Sequence, residues 1–123
     1  MQGLTKIVQG DMATVEAAVR SELSARGFGI LTEIDVAETL RVKLGVERSA
    51  LKILGACNPS FANRALEVDP SVALIMPCNV VLEDVNGSVK VSAMDPSVMM
   101  DSPEMKVLAE EATGLLAGAL EAL

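Results

Sequence analysis

The tetrapeptide Asp84-Val85-Asn86-Gly87 constrains the fold of this chain more than any other feature. Asn-Gly readily adopts the two consecutive positive-φ conformations of a type I′ turn. Here it lies between two β-rich runs, residues 79–83 and 88–94, and so predicts a tight antiparallel hairpin. The rest of the chain divides itself around that hairpin. Residues 4–8 alternate apolar and polar side chains and read as a strand ended by Gly10. Asp11 is placed to cap a helix over about 12–26, in which Met12, Val15, Val19 and Leu23 recur at steps of three and four. Residues 28–34 read as a second strand, and Asp35 with Glu38 forms the Asp variant of a capping box for a short helix over 36–44, ended by Gly45. Residues 51–56 read as a third strand, after which Asn58-Pro59 opens a helix over 59–68. The apolar run 72–76 is expected to be a fourth strand, interrupted by Pro77. Asp95-Pro96 and Asp101-Ser102-Pro103-Glu104 are further helix starts, and the second opens a C-terminal helix with Met105, Leu108, Ala112 and Leu116 on its apolar side.

A chain of 123 residues that were split in two would leave each half too small to bury a useful core. One α+β domain over residues 1–123 is expected. It has two layers: a mainly antiparallel sheet of about five or six strands, with helices packed on one face.

Composition removes several function classes. Seventeen Asp and Glu against ten Lys and Arg give a net charge of -7, and no segment gathers basic residues into a patch that could replace the counterions of phosphates. With Phe28 and Phe61 as its only aromatic residues, the chain also lacks platforms for stacking unpaired bases, so nucleic acid is excluded as a partner. The absence of histidine removes the usual neutral-pH base and every imidazole metal site. The longest uncharged apolar stretch, residues 71–82, has 12 residues and is too short to cross a bilayer. Residues 1–6 show no basic region followed by an apolar one, so no secretory signal is read and a cytoplasmic location is expected. A mean hydropathy of +0.41, high for a soluble chain, leads to the expectation of a homodimer in which a second copy covers apolar surface.

The chemistry-bearing residues that remain are few. The dipeptide Cys-Asn occurs twice, as Cys57-Asn58 and Cys78-Asn79, each after a run read as an apolar strand. If Asn58 caps the helix opened by Pro59, Cys57 stands just outside a helix N-terminus, whose dipole favours a thiolate. The competing reading is that both cysteines are small packed hydrophobes, since free cysteine is among the most buried residue types. If both strands end on the same side of the sheet, two thiols and two amides converge in one cleft. That would make a soft two-thiolate metal site or a redox pair. Two thiolates suit Cu(I) better than zinc, which would need further ligands such as Glu33 or residues of a partner chain. Among the acids, Asp35 and Asp95 read as helix caps or as site carboxylates, whereas Glu33 has no capping role. If Ile34 faces the core, alternation turns Glu33 to the opposite face, as a solvated group or a site residue.

Five blocks in this order resemble the prokaryotic family named domain of unknown function 302. They are residues 27–36 (GFGILTEIDV), 43–46 (KLGV), 53–59 (ILGACNP), 77–81 (PCNVV) and Asp95-Pro96. The resemblance implies a compact α+β domain and no assigned activity, and its recurring blocks fall on Glu33, Asp35, Cys57, Asn58, Cys78, Asn79 and Asp95. Leu51 departs from the family, whose members often carry an aromatic residue there. Three readings stand on the sequence. The first is a module that binds a small ligand or soft metal ion through Cys57 and Cys78, with Asn58, Asn79, Glu33, Asp35 and Asp95 around it. The second is a thiol-dependent enzyme with Cys57 as nucleophile and an acid as base. The third is a structural dimeric protein whose cysteines are only packed.

Overall fold

The computed structural model describes residues 3–100 and 102–123. Met1 and Gln2, which open the segment read for a secretory signal, and Asp101 of the last helix-start motif lie outside the described residues. In chain order the elements are β1 (Leu4–Gln9), α1 (Met12–Ala25), β2 (Gly29–Asp35), α2 (Val36–Leu44), β3 (Leu51–Cys57), α3 (Pro59–Val68), β4 (Cys78–Val85), β5 (Ser88–Ala93) and α4 (Pro103–Glu121). Short 3₁₀ turns occupy Pro70–Ile75 and Pro96–Met99. The strands form one sheet in the order β1-β5-β4-β3-β2, and every neighbouring pair is antiparallel.

The hairpin forms as its residues dictate. Asn86 and Gly87 take φ values of 56° and 86°, Val85 stands opposite Ser88, and the Asp84 carboxylate accepts the Gly87 N–H at 3.2 Å. Alternation along the central strands turns Leu54 and Ala56 of β3, Val80 and Leu82 of β4, and Val89, Val91 and Ala93 of β5 to one face, where all are buried. α1 covers that face with Val15, Val19 and Leu23, and α4 covers it with Leu116, Ala119 and Leu120. Each large side chain so buried contributes about 1.5–3 kcal/mol relative to exposure, and this sets the two-layer arrangement. A smaller cluster of Ala65, Val72, Met105 and Leu108 joins α3, the first 3₁₀ turn and the start of α4. Side-chain caps start the helices where the sequence places them: Asp11 accepts from Thr14 N–H at 2.7 Å, Asp35 from Glu38 N–H at 3.0 Å, and Ser102 from Met105 N–H at 3.2 Å. From β1, Lys6 Nζ donates to the carbonyls of Glu121 and Leu123 at 2.9 and 2.8 Å, tying the first strand to the last helix.

Two sequence expectations are corrected. Residues 72–76 are not a strand. Asp69 accepts both the N–H and the hydroxyl of Ser71, at 3.0 and 2.7 Å, and Pro70 takes the first helical position, so the run winds into a 3₁₀ turn that buries Val72 and exposes Leu74. The sheet accordingly has five strands, and Cys78 opens a strand instead of following one. The second correction concerns β2, where the register shifts between Ile30 and Thr32. The extra residue, Leu31, flips the alternation. Ile30 packs on the core, Ile34 faces away from the helices at 49% exposure, and Glu33 stands opposite buried Leu54 on the helix side.

There Glu33 joins an ion cluster. Lys52 Nζ bridges Glu16 and Glu33, and Arg20 reaches the same two carboxylates at 2.9 Å each. Burial opposes ionisation of Glu16, but hydrogen bonds from Lys52 and Arg20 outweigh it and hold the carboxyl below its ordinary value. The Lys52 hydrogen bond does most of the same work at Glu33. A carboxylate with a depressed folded-state pKa stabilises the fold above its unfolded value and loses that contribution as pH falls through the folded value. On the other face of β3, Gly55 lies under Thr32 and Pro77: a Cβ there would collide with Thr32 Oγ1 and come within 2.8 Å of Pro77 Cγ.

Two outcomes follow for equilibrium denaturation. Lys52→Met is expected to cost about 1 kcal/mol at neutral pH, with the gap from the parent narrowing as the pH falls through the lowered folded-state values of Glu16 and Glu33. Gly55→Ala is expected to cost about 1–3 kcal/mol by overpacking, and Thr32→Ala in the same chain should recover part of that loss.

Candidate functional site

The β3–β4 register places Ala56 opposite Cys78, so Cys57, the last residue of β3, and Cys78, the first of β4, emerge at the same end of the sheet. The chain turns into α3 immediately after Cys57. Asn58 fixes that turn: its Oδ1 accepts the Phe61 N–H at 3.5 Å, and its Nδ2 donates to the Arg26 carbonyl at 3.3 Å, joining the start of α3 to the end of α1. Beneath lies a cavity of about 70 Å³ between the sheet end, α3, α4 and the two 3₁₀ turns. Cys57, Cys78 and Asn58 line it, with Phe28, Phe61, Met76 and Met100. α4 closes it with Leu108, Ala109 and Ala112. A cavity of roughly 150 Å³ accommodates benzene, so what fits wholly within this one is an ion or a group of a few atoms.

Both cysteines are free and half-buried. Burial pushes the Cys78 thiol up, and the nearby Cys57 adds to the shift, so Cys78 is held as a protonated thiol at neutral pH. Apart from the thiols, Asn58 is the one polar side chain on the cavity wall among the described residues.

The structure thus brings Cys57, Asn58 and Cys78 together and places the other candidates elsewhere. Asn79 is exposed on the opposite face of the sheet, opposite Gly55, and its backbone carbonyl accepts the Met94 N–H at 3.0 Å. Glu33 belongs to the ion cluster with Lys52, and Asp35 caps α2 in solvent. Asp95 accepts from the Ser97 hydroxyl at 2.6 Å, the Ser97 N–H at 3.0 Å and the Thr113 hydroxyl at 2.9 Å. The Ser97 hydroxyl leads in holding its carboxyl below the ordinary range, burial opposes it, and Thr113 adds to it. Asp95 thereby pins the second 3₁₀ turn, whose Pro96 lines the cavity, to α4. Among the described residues no three His, Cys, Asp or Glu side chains gather as a metal site. Sequence reasoning missed Met76 and Met100. Met76 stands two residues before Cys78, a proximity visible in the sequence, whereas only the fold brings Met100 to the cavity.

No helix among the described residues is long and apolar enough to cross a membrane. No curated protein matches the chain. The crystal structure of an uncharacterized conserved protein DUF302 from Bacillus stearothermophilus is similar, with a TM-score of 0.89 and 30% identity, covering 96% of this chain and 94% of that one. The family model for the domain of unknown function DUF302 matches residues 4–123, which include all five blocks that carry the resemblance. The chain belongs to the DUF302 family.

Proposed function

We propose that this protein is a small binding module that holds a soft metal ion or a ligand of a few atoms in the cavity shared by Cys57 and Cys78. One observation carries the reading: two free thiols from neighbouring strands line a single small cavity whose remaining wall is almost wholly apolar. Asn58 orients the site by fixing the turn between β3 and α3. The enzyme reading has less support, because a Cys57 nucleophile needs a base and none of Glu33, Asp35 and Asp95 lines the cavity. Free thiols suit a reducing compartment such as the cytoplasm.

A second copy of the chain is the proposed partner. α2 buries none of its residues, and Leu31, Ile34, Val42 and Leu44 leave apolar surface exposed on and beside it, Leu44 to 70%. Covering that surface is the role assigned to the homodimer.

Three measurements test these readings. In thiol labelling across pH, Cys78 in a Cys57→Ser chain is expected to react with a midpoint above the ordinary thiol range, since burial remains; a midpoint within the ordinary range would show that the thiol is not held in the apolar cavity. Anaerobic dialysis against Cu(I) is expected to load one ion per chain with loss of both free thiols, and Cys57→Ser to abolish loading. A folded Cys57→Ser chain with undiminished uptake sinks the binding module. Light scattering is expected to give a dimer at micromolar concentration and Leu44→Glu a folded monomer, whereas a monomeric parent removes the dimer.

A further inference from the structure

We infer that the cavity is an all-sulfur site for Cu(I), in which the thioethers of Met76 and Met100 join the thiolates of Cys57 and Cys78. This rests on the binding reading above and deepens it by naming the ion class and two further ligands. Four sulfur-bearing residues line this one cavity, drawn from the end of β3, the start of β4, the residue before Pro77 and the segment after the second 3₁₀ turn. Thiolate and thioether are soft donors and select Cu(I), whereas zinc in a closed site takes four ligands from thiolate, imidazole and carboxylate. The wall offers two thiols, no carboxylate and, in a chain without histidine, no imidazole. The missing third and fourth zinc ligands are replaced here by the two groups that a softer ion accepts.

The charge and proton balance is simple. Two S–H bonds break, four Cu–S bonds form, two to thiolates and two to thioethers, the copper leaves its chelator's ligands behind, two protons pass to solvent, and the copper stays Cu(I) because it is supplied in that state. The loaded site carries one negative charge. The N-terminus of the ten-residue α3, opening at Pro59 two residues beyond Cys57, faces it with the positive end of its dipole. Val72 and Met100 line both the cavity and an open groove of about 360 Å³ that also includes Asp69, Ser71 and Ser102. The groove gives an incoming cation a polar approach that ends at a thioether.

Met76 and Met100 also pack against the smaller apolar cluster, so the competing role is to fill space. Leucine preserves that packing volume and removes the sulfur, which separates the two roles. The full chain is titrated anaerobically with Cu(I) against a chromogenic Cu(I) chelator, and in parallel with Zn(II), for the parent, Met76→Leu, Met100→Leu and Cys57→Ser. Each leucine variant is expected to weaken Cu(I) by at least about tenfold, in the range lost when groups supporting a metal site are removed, while leaving Zn(II) unchanged. X-ray absorption of the Cu(I)-loaded parent is expected to show sulfur neighbours only, more than two in number; this readout needs no variant to fold. Leucine variants that bind Cu(I) as the parent does, with two sulfur neighbours in the absorption spectrum and binding lost in Cys57→Ser, overturn the four-sulfur site and leave the two-thiol module standing. Cu(I) binding undiminished in Cys57→Ser overturns both.

Discussion

The antiparallel register between β3 and β4 governs the rest of the molecule. Leu54 opposite Val80 and Ala56 opposite Cys78 put every inward side chain of the two central strands under α1 and α4, and a slip of one residue would turn that whole set outward. The same pairing decides which groups meet at the sheet's end. The last residue of one strand and the first of the next are neighbours wherever the two strands are antiparallel and matched in length. The two cysteines therefore need no special loop to bring them together, only the hydrophobic pattern that fixes the strands.

How much of this was legible depended on whether the determining interaction was local. Caps and turns are contests between a side chain and the backbone a few residues away, so Asp11, Asp35, Asn58 and Asn86-Gly87 announced themselves correctly. The run at 72–76 failed because a short apolar stretch carries no period, and Asp69 and Pro70 decided it from outside the run. Glu33 failed for another reason. One unpaired residue, Leu31, shifts the phase of β2, and nothing in the local alternation records which side of the bulge faces the core. Cys57 and Cys78 were each read as following a strand, whereas Cys57 ends β3 and Cys78 opens β4. Met100 was invisible in principle, since only tertiary packing carries it to the cavity.

The acids show how one residue type divides between roles according to its surroundings. Asp35 and Asp95 spend their lone pairs on backbone N–H and hydroxyl groups at helix starts, and Glu16 and Glu33 spend theirs on Lys52 and Arg20. Once those partners are assigned, no carboxylate remains at the cavity wall, where the cysteines sit among apolar residues and Asn58. Such surroundings raise the cost of ionising the Cys78 thiol.

The first strand of the sheet takes its one neighbour from the far side of the sequence, for β1 pairs with β5 and Lys6 fastens on α4. During synthesis that strand leaves the ribosome long before anything exists for it to join. Closing so distant a loop costs entropy before any contact repays it, so the opening segment is a latecomer to the folded state.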